Sequence, residues 1–191
     1  MEREAIHSFL SEESVLRHKS YLRQLELEYS VLLASEAGLN GKCAAEIALM
    51  RINSDIREEA YFKCREIELH KLYFCSFVNE NKRCENLPDG FRSPAELLYE
   101  IYRVANDVQC ADFIVLLGDK RNGRIRISSD KKIGIYDEPL LALDLCEHAY
   151  FSDYGFLREQ YLKNAISHLN LSAVSDFISA KCAGRGKKGL K

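Results

Sequence analysis

Between residues 11 and 36 the apolar positions Val15, Leu22, Leu25 and Leu32, joined by Tyr29, recur at helical spacing. This is the seam of a long helix built to pack in a hairpin. One member of the seam is polar: His18, midway between Val15 and Leu22. Gly38-Leu-Asn-Gly-Lys42 reads as a stop and turn. Two further helices are predicted, over about 43–57 and about 58–79. In the second of these the seam is Ile67, His70, Phe74 and Phe77, so a histidine again interrupts an apolar stripe.

Asn86-Leu-Pro-Asp-Gly90 breaks the helical pattern and is the best domain boundary in the chain. Ser93-Pro94-Ala-Glu96 follows as a helix start, with a capping serine, proline at the first helical position and glutamate three residues on. That helix is predicted to run to about Asp107. Phe113-Ile-Val-Leu-Leu117 and Ile125-Arg-Ile127 flank Gly118–Gly123 as a hairpin, and Leu140–Leu145 is the third strand. Helices over about 155–169 and 171–180 close the chain. The predicted class is α+β: an N-terminal helical-hairpin domain (1–86), then a C-terminal domain (91–180) with a three-stranded antiparallel sheet and helices. Residues 181–191 read as a basic, glycine-rich flexible tail.

Composition narrows the function classes. Hydrophobic residues at 47% and charged residues at 29% describe a globular protein that buries a real core. A net charge of −2 gives no general reason to expect a nucleic-acid or membrane partner. No stretch reaches the length of a membrane span, and the Met-Glu-Arg-Glu start is not signal-like. The seven cysteines (43, 64, 75, 84, 110, 146, 182) are odd in number and show no CxxC pairing. Reduced thiols are therefore expected, in the cytoplasm or another reducing compartment.

Against this background the stretch Asp144-Leu-Cys-Glu-His-Ala-Tyr150 stands out. It crowds three titratable side chains into the end of the most apolar strand, where charge is rarely buried unless it is paired or binds a metal. Each of His18, His70 and His148 alone reads as a hydrogen-bonded core histidine. If the two helical seams pack together, however, His18 and His70 enter the same dry space. Asp144 and His148 then complete a set of three histidines and one carboxylate. Such a mixed nitrogen and oxygen set suits first-row metals such as iron, manganese or zinc.

Three stretches carry a resemblance to a known family. Leu10-Ser-Glu-Glu-Ser-Val-Leu-Arg-His18, Glu68-Leu-His70-Lys-Leu-Tyr-Phe74 and Asp144–Tyr150 arrive in the order and spacing of the iron/manganese superoxide dismutases, whose signature is Asp-x-Trp-Glu-His-Ala-Tyr. Arg158, Tyr161, Leu162 and Asn170 fall where that family has Arg-x-x-Tyr-Leu and Ile-Asn positions. The chain thus resembles the family from about residue 10 to 180. The resemblance implies a homodimer that dismutates superoxide with one iron or manganese ion per subunit, held by His18, His70, Asp144 and His148. It also implies that Glu147 reaches the ring of His148 in the other subunit, with Tyr150 at the same interface.

The residues around the ligands depart from the family pattern. Cys146 and Phe74 stand where it has tryptophans, Leu22 where it has a gateway histidine and Glu26 where it has a gateway tyrosine. Glu66 is at one usual place of the family's outer glutamine, and a protonated Glu66 is the candidate proton donor in its stead. Tyr29 is the candidate replacement for the missing tyrosine. The rival expectation is a catalytically impaired relative that serves as a dimeric structural or interaction protein.

Overall fold

The computed structural model describes residues 5–79, 85–108 and 111–186. A short 3₁₀ turn precedes α1 (Glu12–Ser35), which is started by Ser11: its Oγ accepts from Ser14 N at 3.1 Å, and Glu12 and Glu13 complement the helix dipole. Gly41, at φ 71°, makes the turn toward α2 (Ala44–Ile47). α3 (Ser54–Cys75) starts at Asn53, whose Oδ1 accepts from Asp55 N and Ile56 N. The division expected near residues 57 and 58 is thus corrected. What forms is a four-residue turn of helix, a connection, and one long helix capped by Asn53.

α4 (Pro94–Asp107) begins as its sequence predicts, with Ser93 Oγ accepting from Glu96 N and the Glu96 carboxylate from Arg92 N. Three strands follow, β1 (Phe113–Asp119), β2 (Ile125–Ser129) and β3 (Asp137–Asp144), paired antiparallel in the order β2-β1-β3. The β1–β3 register shifts after Leu116, opposite Leu141, so that Leu117 faces Pro139. Pro139, which has no N–H to donate, lies on an edge strand. Phe113 is paired with Asp144, which places that aspartate at the end of a strand buried over its last five residues.

α5 (Glu147–Tyr154), α6 (Arg158–Ser167) and α7 (Ser172–Gly186) complete the order. α5 precedes both helices expected in this region. α7 runs through Gly186, into the segment read as a tail; residues 187–191 lie outside the described residues. The α+β class stands: helices α1–α3 come first, then the sheet with its helices.

One large core joins Val15, Leu69, Tyr73 and Phe77 of the helical hairpin to the sheet and to α4–α7. A smaller core at the far end of the hairpin gathers Leu39, Ala44, Ile47, Ala60 and Cys64. Ser76 stitches the base of the hairpin to the sheet, its Oγ accepting from Ala142 N at 3.1 Å and its carbonyl from Asn170 N at 2.8 Å.

At Gly118 a Cβ would fall 2.5 Å from the buried Phe177 ring of α7. Gly118→Ala is therefore expected to destabilise the fold by about 1–3 kcal/mol through overpacking. Thermal unfolding checks this, and an unchanged midpoint would mean that α7 yields freely.

Candidate metal centre

Each of the four singled-out side chains is delivered by a different feature of the fold. α1 presents His18 from its core-facing seam and α3 presents His70. β3 ends on Asp144, and the first turn of α5 carries His148. His18, His70 and Asp144 are fully buried, whereas His148 leaves 29% of its side chain exposed. The ring centroids of His18 lie 5.1 Å from those of His70 and 5.0 Å from those of His148. The two helical seams do meet at their histidines.

The polar atoms converge as well as the rings. Asp144 Oδ2 lies 3.1 Å from His18 Nε2, 3.5 Å from His70 Nε2 and 3.2 Å from His148 Nε2. His70 Nε2 is 3.2 Å from His148 Nε2, and all four candidate ligand atoms lie within 4.8 Å of one another. With metal–nitrogen distances of about 2.0–2.1 Å, neighbouring ligand atoms on one ion stand roughly 3.0–3.6 Å apart. The four short distances fall in that range.

His18 supplies the sharpest sign that the set is meant for a cation. Neither ring nitrogen makes a hydrogen bond, although both are buried. Nε2 is close to Asp144 Oδ2 without the alignment of a hydrogen bond. A buried polar nitrogen without a partner is costly, and an ion between the four atoms removes that cost at Nε2. The residues therefore fit a first-row metal bound by three imidazole nitrogens and one carboxylate oxygen.

The surroundings orient this set. His70 Nδ1–H donates to the Glu66 carbonyl at 2.8 Å, which leaves Nε2 free to face the cluster. Burial pushes the His70 pKa below its ordinary value, against the opposing pull of Asp144, and favours the neutral ring a metal needs. Burial alone would raise the Asp144 carboxyl, but His148 and His18 more than offset it and hold it below the usual carboxylate range. Asp144 Oδ1 accepts from Cys146 N at 2.8 Å and its carbonyl from Tyr161 Oη at 2.8 Å, which fixes the direction of Oδ2.

Around the imidazoles stands an aromatic cage. Phe74 and Tyr73 lie 4.9 and 5.0 Å from His18, and Phe113 lies 5.0 Å from His70. Tyr21 stacks on His148 at 4.3 Å and its Oη donates to Glu66 Oε1 at 2.7 Å. Burial, then the Glu66 carboxylate, push the Tyr21 phenol well above its ordinary pKa, so that it holds its proton.

The remaining sequence candidates divide. Glu66 is half-buried and joined to the cluster through Tyr21. Tyr29 is not at the cluster: it packs in the smaller core beside Cys64 and Leu39, about 16 Å along the helix from His18 at 1.5 Å per residue. The tyrosine that meets both His70 and His148 is Tyr21, which sequence reasoning missed although its i+3 spacing from His18 puts both on one helix face. Glu26 makes an ion pair with Lys71 at 2.7 Å instead of approaching the cluster.

Glu147 is exposed at the start of α5. Tyr150, expected at an interface, is already buried within one chain and stacked on Tyr161 at 4.7 Å. Cys146 is half-buried with its sulfur 3.6 Å from Asp112 Oδ1, and burial, then Asp144, push its thiol pKa far up. Cys43, Cys64, Cys75, Cys146 and Cys182 are free thiols; Cys84 and Cys110 lie outside the described residues. Among the described residues no helix is long and apolar enough to cross a membrane.

Comparison with protein families matches residues 79–177, more than half of the chain, to "Iron/manganese superoxide dismutases, C-terminal domain". A search of curated proteins gives no match.

Proposed function

Because the chain belongs to the iron/manganese superoxide dismutase family, we propose that it converts superoxide to dioxygen and hydrogen peroxide with one iron or manganese ion per subunit. The ligands are His18, His70, Asp144 and His148. The observation that carries this reading is the buried His18 imidazole, unpartnered at both nitrogens and facing Asp144 Oδ2 among the other ligand atoms.

When bound, the ion supplies one-electron exchange, taking an electron from one superoxide and passing it to a second. The chain supplies the rest. Phe74, Tyr73 and Phe113 exclude bulk water and hold the rings in place. The ionised Asp144 offsets part of a cation's charge. His148, the one partly exposed ligand, marks the side from which a small anion arrives. Tyr21 stacks there and holds a proton on Oη, with Glu66 fixing the direction of that hydroxyl. The Tyr21–Glu66 pair thus fills the role for which Glu66 alone was the candidate.

Catalytic amounts of metal-loaded protein should turn superoxide into dioxygen and peroxide in equal amounts. A stoichiometric reaction that stops after one equivalent would contradict the proposal.

The protein works as a homodimer in this reading. Glu147 is exposed one helical turn before Phe151 on α5, and Phe151 meets Phe156, which is 91% exposed, at 5.3 Å. A twofold contact there lets Glu147 accept from the partner's His148 ring and fix its tautomer. Glu147→Ala is expected to weaken dimer association about tenfold or more, read by analytical ultracentrifugation across a dilution series. An unchanged association constant would remove Glu147 from the interface. The rival reading, a dimeric interaction protein with impaired turnover, is favoured by one observation: Glu26 is tied to Lys71 where the family has its gateway tyrosine.

A further inference from the structure

Toward the far end of the hairpin, about 9 Å along α3 from His70 at 1.5 Å per residue, a second group of reactive side chains meets in the smaller core. Cys64 of α3 is buried, and its Sγ lies 3.7 Å from the Lys42 carbonyl oxygen and 3.7 Å from Glu68 Oε1. The same Glu68 oxygen accepts from Ala44 N at 3.0 Å. Residues 42 and 44 are thus both anchored at Cys64 and Glu68, and the residue between them is Cys43, whose side chain is exposed. Peptide geometry places the Cys43 Cα within about 6.5 Å of the Cys64 sulfur. Cys43 and Glu68 also line one cleft of about 270 Å³ that opens between the hairpin and the sheet, together with Arg65, Leu69 and Leu72.

We infer that Cys43 and Cys64 are a peroxide-oxidised thiol pair that closes to a disulfide. The two cysteines are unequal in the way such a pair requires. Cys43 is open to the cleft and meets the oxidant first. Cys64 is shielded; burial and then Glu68 push its thiol up to about 12, so it stays protonated until a partner is presented.

The chemistry balances with hydrogen peroxide as the oxidant. The Cys43 sulfur attacks one peroxide oxygen, the O–O bond breaks, and a sulfenic acid and water result. Cys64 then attacks the Cys43 sulfur. The S–S bond forms and the hydroxyl leaves with the Cys64 proton as a second water. Two thiols and one peroxide yield one disulfide and two waters. The bond needs the sulfurs at about 2.05 Å, which asks for a rotation of Cys64 and a small inward shift of α2. That four-residue helix, with the Gly41 turn on one side and an irregular connection on the other, can make the shift.

The inference does not depend on the proposed dismutase activity, since peroxide from any source serves. The test is made on the full chain, treated with a few equivalents of hydrogen peroxide, quenched by thiol alkylation and digested without reduction. Mass spectrometry should find the Cys43 and Cys64 peptides joined, with a loss of about 2 Da relative to the two thiol peptides. Cys43→Ser, an exposed and structurally mild change, should abolish the link and leave Cys64 fully alkylatable. The inference is overturned if Cys43 proceeds to sulfinic acid while Cys64 stays alkylatable, or if Cys43 joins any other cysteine instead.

Discussion

Replacing His18 with alanine should lower bound iron or manganese from about one per chain to below about a tenth under the same loading conditions. His18 is fully buried on α1, and its Nε2 is one of four atoms aimed at a common point beside Asp144 Oδ2. Without it, His70, Asp144 and His148 keep their mutual distances of 3.2–3.5 Å, but the binding set is reduced to three and a gap opens inside the aromatic cage. The gap itself costs stability, so a second readout separates misfolding from ligand loss. Wild-type protein should gain thermal stability when loaded, because an ion that binds only the folded state stabilises it. The variant, folded by circular dichroism, should show no such gain. Retention of stoichiometric metal in His18→Ala would remove His18 from the ligand set.

The second large effect is expected from the Tyr21–Glu66 pair. Tyr21→Phe keeps the ring that stacks on His148 but deletes the hydroxyl that donates to Glu66 Oε1. Dismutation should fall about 10–100-fold with metal content unchanged, the range seen when groups supporting a metal centre are lost. Glu66→Ala should fall by a similar factor, since it frees the hydroxyl it normally directs. Glu66→Gln keeps an acceptor oxygen and should fall less. If the two residues act as one unit, the double variant Tyr21→Phe/Glu66→Ala loses little more than either single variant. Fully additive losses would mean that each acts separately, and no loss at all would leave Tyr21 as packing.

The parts of this site that were legible in the sequence share a physical reason. A histidine in an apolar seam, or an aspartate at the end of an apolar strand, violates a simple burial pattern. Violations at His18, His70 and Asp144 are visible without coordinates. The start of α4 was equally plain because Ser93, Pro94 and Glu96 form a strong local signal.

The misses share a reason too. α5 follows Cys146, which makes no side-chain capping bond, so nothing local announced its start. The α2–α3 boundary lay hidden because apolar residues run on past residue 48, although Leu49 is in fact exposed. Tyr29 was set at the wrong end of its own helix. A seam shows which face a residue occupies, but its distance from the site is set by the rise along the axis. Tyr150 shows a further limit: its stacking on Tyr161 joins α5 to α6 across a turn, a contact no spacing rule encodes.

The central claim is that these four side chains hold one redox metal and that it turns over superoxide. The most direct test is the dismutation rate measured against bound iron or manganese, titrated into metal-free protein with elemental analysis of each sample. The account predicts a rate that rises in proportion to bound metal and stops rising at about one ion per chain. Full occupancy without turnover, or a rate indifferent to the metal bound, would contradict it.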